Sequence, residues 1–143
     1  MRAGWYERYG PAREVIKVGE IGTPQAGPGE VRVRVHASGV TPSVVKARAG
    51  SRGPWRWERI IPHSDGAGVI DQAGAGVDRA RVGERVWLFN GQWQRTHGTA
   101  AEYIAVPAFQ AVRLPATVSF EEGACLGIPA MTAHRALFSD GSL

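Results

Sequence analysis

The chain has 143 residues, of which 43% are hydrophobic and 21% charged, enough for one globular domain with its own core. No apolar run approaches the roughly 20 residues that a membrane-spanning helix needs, and the first residues lack the apolar segment of a secretory signal. The single cysteine, Cys125, excludes an intrachain disulfide framework and a zinc site built of thiolates alone. We therefore expect a cytoplasmic protein without a membrane partner.

The net charge of +4 comes almost wholly from arginine. A basic balance is typical of proteins that bind nucleic acid or phosphates, and equally of arginine-rich proteins with solvated faces. Residues 54–57 read Pro-Trp-Arg-Trp, a combination that can stack bases and bind phosphates. Because this one short cluster lies in no recognisable nucleic-acid-binding module, we expect no nucleic-acid partner. A basic nucleic-acid-binding domain stays open as an alternative.

The N-terminal part of the chain is predicted to be mainly β. Residues 2–9 and 15–21 predict two strands around the turn at Gly10-Pro11. The clearest strand covers residues 31–37, where valines alternate with polar residues, and we expect His36 on its solvated face. A short helix follows, with Thr41 as its N-cap, Pro42 as its first residue and Gly50 as its end. Residues 51–59 predict an exposed loop.

The stretch at residues 60–70 reads Ile-Ile-Pro-His-Ser-Asp-Gly-Ala-Gly-Val-Ile. Its small residues indicate a close approach of another backbone or a ligand. They lead into a strand rather than a helix, so we expect a tight crossing of strands and not a phosphate cradle. We interpret Asp65 as an acceptor for backbone amides and not as an acid or base.

The chain becomes helical only near its C-terminal end. Residues 82–89, 101–106 and 111–114 predict further strands, and residues 90–98 predict a polar loop. Ser119 and Glu122 then form a capping box that opens a helix, which we expect Gly127 to end. Cys125 is expected to be a small core residue of this helix. A second helix over 129–137 would align Met131, Thr132 and Arg135 on one side, continuing from Ile128.

Five blocks carry a resemblance to a known family. They are GEVRVRVHASGV (29–40), PHSDGAGVI (62–70), VGERV (82–86), GTAAEY (98–103) and GIPAMTAHRAL (127–137). In this order they resemble the N-terminal, GroES-like catalytic domain of the medium-chain dehydrogenase/reductase superfamily, and most closely its zinc-independent quinone oxidoreductases of the ζ-crystallin type. The resemblance implies a mainly β fold, a partly open barrel with short helices, over residues 1–118. Residues 119–143 would be the first helical segment of a Rossmann-type nucleotide-binding domain whose remainder is absent.

The resemblance also implies that no zinc is bound. Zinc-dependent members of the superfamily place two cysteines and a histidine at positions that are Thr41, Ile128 and Ser64 here. His63 lies one residue too early to match the histidine. A hydroxyl and an aliphatic side chain cannot replace thiolate ligands.

The implied reaction is hydride transfer from NADPH to a quinone or enone substrate. Thr41 and Thr132 would then bind the cofactor, and Thr41, Ser43, Lys46 and Ser64 are the candidate catalytic residues, which polarise or protonate a carbonyl oxygen. Thr41 and Lys46 depart from the Asn and Tyr common in this branch. Three tryptophans lie in loops that would cover a flat acceptor: Trp55, Trp57 and Trp93.

Several properties are not determined by the residues alone. The acceptor, the proton donor and the preference for NADPH over NADH stay undetermined. We expect the chain alone to be inactive and to form a homodimer through residues 120–138, because a helix made to pack on an absent sheet exposes apolar surface. A non-catalytic GroES-like binding module is the alternative function.

Overall fold

The computed structural model describes residues 1–51, 53–139 and 141, and its architecture is mainly β, as predicted. Seven strands and four α-helices follow one another along the described chain. They are β1 (Arg2–Trp5), α1 (Ala12–Val15), β2 (Lys17–Glu20), β3 (Glu30–Gly39), α2 (Pro42–Arg48), β4 (Asp65–Ala73), β5 (Arg85–Leu88), β6 (Tyr103–Pro107), β7 (Ala111–Arg113), α3 (Phe120–Gly123) and α4 (Met131–Phe138). No helix within the described residues is long and apolar enough to cross a membrane.

The main sheet has five antiparallel strands in the order β6-β3-β4-β5-β7, and β1 pairs separately with β2. The two edge strands are consecutive in sequence, since β6 ends at Pro107 and β7 begins at Ala111. Four residue steps reach about 14 Å, whereas the edges of a flat five-stranded sheet lie about 19 Å apart. The sheet must therefore curl until its edges approach each other, which gives the partly open barrel expected from the resemblance.

Arg81 binds the segment that joins these two edges. Its guanidinium donates at 2.9 Å to the carbonyl oxygen of Ala108, in the short connection, and at 2.7 Å to that of Ala111, the first residue of β7. Glu84 accepts from its Nε at 2.8 Å and neutralises the charge. One arginine thus fixes the link that closes the barrel.

The interior of the barrel is filled by the inward faces of the strands. Val31 and Val33 of β3 are fully buried and alternate with the more exposed Arg32 and Arg34, as the period-two pattern predicts. They pack with other aliphatic side chains: Ile70, Val86, Leu88, Ile104, Val106 and Ala111.

The small residues of β4 do mark a close crossing of strands. A Cβ atom added at Gly68 would lie 2.0 Å from the carbonyl oxygen of Arg34 on β3. Ala67 between the glycines is fully buried. The prediction of a tight crossing is confirmed, since β4 lies between β3 and β5 where a side chain at Gly68 has no room.

Three predictions for the N-terminal region were wrong in detail. The first strand ends at Trp5, after which Tyr6 keeps only an isolated bridge to Ile60. A helical turn, α1, occupies the start of the second predicted strand because Pro11 favours helix initiation and Val15 is buried against Tyr6 and Ile60. The loop at 51–59 is not wholly exposed, since Trp55 packs on Tyr6 and Tyr9 with ring centroids 5.7 Å and 5.2 Å apart.

The C-terminal helices also differ from the prediction. The capping box at Ser119 and Glu122 is present, but α3 ends at Gly123 and a wide helical turn, Leu126–Ala130, leads into α4. Cys125 is exposed, which corrects its assignment to the core. The reason is that α3 is only one turn long, and Ala124 takes the buried position against Ala67 and Leu114.

We predict that Gly68→Ala destabilises the protein by about 3 kcal/mol, because the added methyl group overlaps the Arg34 carbonyl in a packed sheet. Urea unfolding measures the change. Gly22→Ala is the matched control, since nothing lies within 4 Å of an added Cβ there, and we expect a change within about 0.5 kcal/mol. Equal stability of the two variants would contradict the close crossing.

Candidate functional site

The centre of the candidate site is Asp65, the first residue of β4. Its side chain is fully buried, and its Oδ1 accepts a hydrogen bond of 2.9 Å from the backbone N–H of Ile128. Its Oδ2 is buried without a hydrogen-bond partner among the described residues. The prediction that Asp65 accepts backbone amides is confirmed, and the bond joins the start of β4 to the turn before α4.

Gly127 makes this bond possible. A Cβ atom at this position would lie 2.2 Å from Oδ1 of Asp65. The backbone of Gly127 also leaves the helical conformation, with ψ at −116°. The turn can approach the carboxyl group this closely only because Gly127 has no side chain.

Burial changes the protonation of this carboxyl group. Loss of hydration raises the pKa of Asp65, and the hydrogen bond from Ile128 offsets only part of that effect. The neutral acid is thereby favoured in the folded state, relative to an exposed aspartate.

Phe120 forms a second contact between the C-terminal segment and the barrel. The guanidinium of Arg85 lies 4.2 Å from the centroid of its ring, and the ring of His36 stacks on it at 4.4 Å. His36 is exposed, as expected, and sits at an irregularity in the pairing of β3 with β4, between Val35 and Ala37. Because a bulge redirects a side chain, the histidine can cover Phe120 instead of extending into solvent.

A chain of hydrogen bonds runs beside the start of β4. Thr99 Oγ1 donates to the Asp65 carbonyl oxygen at 2.5 Å, and Ser38 Oγ lies 2.8 Å from both Thr99 Oγ1 and His63 Nδ1. Each hydroxyl has one proton to donate. Since Thr99 gives its proton to the carbonyl, Ser38 must donate to Thr99 and accept from His63, so that Nδ1 of His63 carries the proton.

His63 is therefore part of the local structure, through its hydrogen bond with Ser38. Its backbone has φ at 75°, a left-handed conformation that histidine adopts more readily than most side chains. Partial burial lowers the pKa of His63 through loss of hydration, which favours the neutral ring.

The predicted residues of helix α2 lie in two environments. Thr41 is the N-cap residue, as predicted, but its hydroxyl makes no cap bond and instead lies 2.8 Å from Ser43 Oγ. Thr41 is buried and Ser43 half-buried, whereas Lys46 lies exposed one turn further along. Ser64 is buried beside Asp65, and its carbonyl oxygen accepts from Gly91 N at 2.8 Å.

A largely apolar groove of about 760 Å³ lies between the end of β5 and α4. The predicted line of residues is confirmed, since Ile128, Met131, Thr132 and Arg135 all face this groove. Thr132 is exposed there. The aromatic side chains of Trp87 and Phe89 form the opposite wall.

A second cavity, of about 420 Å³, lies between the loops at 53–60 and 90–98, and we call it the loop pocket. Trp57 and Trp93 both line it, as expected for walls around a flat ligand. Trp55 does not, because it packs against the tyrosines described above.

Comparisons with known proteins place this architecture in a family. Residues 27–116 match the family model described as the alcohol dehydrogenase GroES-like domain. The chain belongs to this family. It is also 36% identical to a quinone oxidoreductase of Rattus norvegicus over 134 residues, which cover 93% of the chain and 39% of the rat protein.

Solved structures give the same assignment for the GroES-like domain. A quinone oxidoreductase from Pseudomonas syringae superimposes with a TM-score of 0.87 at 26% identity, covering 99% of the chain and 42% of that protein. A mycobacterial protein solved in complex with NADPH superimposes with a TM-score of 0.85 at 26% identity, covering 97% of the chain and 41% of that protein. The fold and the membership of the medium-chain dehydrogenase/reductase superfamily, predicted from sequence, are confirmed. The chain spans less than half the length of these proteins.

Ile128 lies at one of the three positions where the resemblance places a zinc ligand. Ile128 contributes its backbone N–H to Asp65 and has an aliphatic side chain, so it offers no ligand atom. Among the described residues, no three of the types His, Cys, Asp and Glu are grouped closely enough to hold a metal ion.

Some of these features left no readable signal in the sequence. Ser38 and Thr99 are 61 residues apart, and nothing in the sequence around either residue indicates a hydrogen bond between them. The Thr41–Ser43 contact, in contrast, follows from their positions at the start of a predicted helix. The roles of Thr41, Ser43, Lys46, Ser64 and Thr132 in chemistry stay predictions.

We predict that Asp65→Asn changes how stability depends on pH. Because burial raises the pKa of Asp65, the folded state keeps a proton that the unfolded chain loses above the ordinary value of 3.8. The contribution of Asp65 to the free energy of unfolding therefore falls as pH rises above that value. Relative to the parent, the variant should gain stability in urea unfolding as pH rises above about 4.

Glu122→Gln is a control of opposite sign. Hydrogen bonds from the backbone and side chain of Ser119 lower the pKa of Glu122 from 4.5, so its ionised form stabilises the helix start. This variant should lose stability relative to the parent as pH rises through that value. A pH-independent difference for Asp65→Asn would show that the buried carboxyl group titrates normally.

Proposed function

We propose that this GroES-like domain is the acceptor-binding part of a zinc-independent, NADPH-dependent quinone or enone oxidoreductase. The observation that carries the proposal is the 36% identity to a quinone oxidoreductase over 93% of the chain. The unsuitable residues at the zinc positions support a mechanism without metal. We propose cytoplasmic function, with no nucleic acid or membrane as partner.

The groove beside α4 suits the nicotinamide end of the cofactor. Its walls are mostly apolar, and Thr132 offers one hydroxyl that can bond a polar group of the nucleotide. NADPH, when bound, supplies the hydride. The domain's own contribution is to orient the acceptor and to exclude water from a largely apolar surface. We propose that residues 119–143 form the first helical segment of a nucleotide-binding domain, and residues 1–118 the catalytic domain.

Thr41 and Ser43 are suited to stabilise the negative charge that develops on the acceptor oxygen. Their hydroxyl groups lie 2.8 Å apart, so one donates its proton to the other. The second hydroxyl keeps its proton and can donate it to a carbonyl oxygen. We assign the later delivery of a proton to Lys46 or to the hydroxyl of Ser64. We also propose that Thr41 contacts the cofactor.

We predict that an extended chain, in which a nucleotide-binding domain follows this domain, oxidises NADPH in the presence of a quinone. In that protein Thr132→Val should raise the KM for NADPH roughly tenfold through loss of one hydrogen bond. Thr132→Ser keeps the hydroxyl and should stay close to the parent. Steady-state absorbance of NADPH measures both. An extended chain that binds quinones but oxidises no NADPH would instead support a non-catalytic binding module.

We also propose a homodimer, supported by the apolar side chains that α4 exposes. Met131, Leu137 and Phe138 are 46%, 51% and 50% exposed. Light scattering at high concentration should show a dimer that Phe138→Glu dissociates, because a charge in an apolar interface is costly. Phe109→Glu, the same change at a side chain 72% exposed elsewhere, should not. A monodisperse monomeric parent would contradict the proposal.

A further inference from the structure

The loop pocket combines aromatic walls with positive charge. Tyr6 and Tyr9 line it from the N-terminal segment, and Trp57 and Trp93 from the two loops. Tyr6 is buried, but Trp57 and Trp93 are 44% and 56% exposed, and rings of this kind offer large flat surfaces on which a planar ligand can stack. The pocket's volume of about 420 Å³ suits a compound of two or three fused rings.

Arg56 and Arg95 both line this cavity, and none of the residues that line it is acidic. Among residues 1–51, 53–139 and 141, neither arginine forms an ion pair. Within the described part of the chain, no carboxylate therefore pairs directly with either arginine. A cavity of this composition favours a ligand that carries its own negative charge.

Arg95 is held in place before any ligand arrives. Its Nη2 donates to Gln110 Oε1, its Nη1 lies 3.5 Å from the carbonyl oxygen of Ala105, and both acceptors are uncharged. Its own carbonyl oxygen accepts from Gln92 Nε2 at 2.9 Å, which fixes the loop. Partial burial lowers the pKa of Arg95 by loss of hydration, although the charge of Glu30 acts in the opposite direction. An anion in the pocket would compensate for that lost hydration.

The loop pocket adjoins the candidate catalytic residues through the backbone. Ala47 of α2 lines it directly after Lys46, and Gln92 lines it one residue after Gly91, which donates to the carbonyl of Ser64. A ligand in this pocket would therefore lie close to the residues assigned to the acceptor.

We propose that the loop pocket binds a planar aromatic quinone bearing a carboxylate, which Arg56 and Arg95 select over its neutral analogue. That the ligand is a quinone acceptor rests on the proposed function. That it carries a negative charge is inferred from the residues of the pocket alone. Arg56 and Arg95 are specificity-determining residues in this arrangement, and the aromatic rings supply the affinity for the flat body of the ligand.

The test compares two probes on the 143-residue chain without cofactor: anthraquinone-2-carboxylate and anthraquinone-2-carboxamide, by isothermal titration calorimetry. The carboxylate should bind roughly tenfold tighter, as expected for one charge-assisted contact. Arg56→Gln should remove most of this difference and Arg56→Lys should retain part of it. Arg59→Gln is the matched control, because it removes the same charge from the same loop, outside the lining of the pocket.

Equal affinity of the parent for the two probes would overturn the proposal and leave the proposed reductase intact, since a neutral quinone would then suit it. The proposal would also be overturned if the preference for the carboxylate survived Arg56→Gln, or if Arg59→Gln reduced it as much. In either case, residues outside the pocket would recognise the carboxylate. If the preference behaves as expected but an extended chain oxidises no NADPH, the anion site stands and the reductase proposal fails.

Discussion

The hydrogen bond from the Ile128 amide to the buried carboxyl of Asp65 is the constraint on which the candidate site depends. It connects the start of β4 with the turn before α4, so it sets where the groove begins. The bond needs a glycine at position 127, and it keeps an ionisable group in a place that disfavours its charge. Burial of an ionisable carboxyl group costs free energy because its charged form loses hydration. A buried serine or asparagine has no charged form and does not carry this cost. In return, the hydrogen bond that this carboxyl group accepts fixes the position of α4 relative to the barrel.

The two cavities make separate demands on a ligand. The groove beside α4 is largely apolar and open, with Thr132 and Arg135 among its few polar groups, whereas the loop pocket is aromatic and basic. Each is built from elements that the barrel holds rigidly, because the walls extend from the ends of strands and from loops anchored by Gln92 and Trp55. A reaction between two bound molecules needs both cavities near the same residues. The backbone links through Gly91 and Ala47 bring the loop pocket close to the residues proposed for the acceptor.

The sequence predicted the parts of the fold that depend on local pattern. The alternation along residues 31–37, the glycine crossing at residue 68 and the capping box at Ser119 are each encoded within a few residues, and all three are present. It failed where packing between distant segments decides, as for Trp55 among the tyrosines and Cys125 beside a shortened helix. Within the candidate site, Asp65 was interpreted correctly from its place before small residues. The Thr99–Ser38–His63 chain and the pairing of Arg56 with Arg95 in one pocket were not found, because only the folded chain brings these residues together.

The strand order also determines when the barrel can close during synthesis. β3, β4 and β5 form a continuous meander, but both of its outer edges are paired by strands that come later, β6 and β7. Until residues 103–113 have left the ribosome, the meander presents two unpaired edges at once, which is the state of a sheet most prone to associate with other chains. A single short segment then covers both edges together. Protection from aggregation thus arrives in one late step, in which Arg81 binds the connection between the two covering strands.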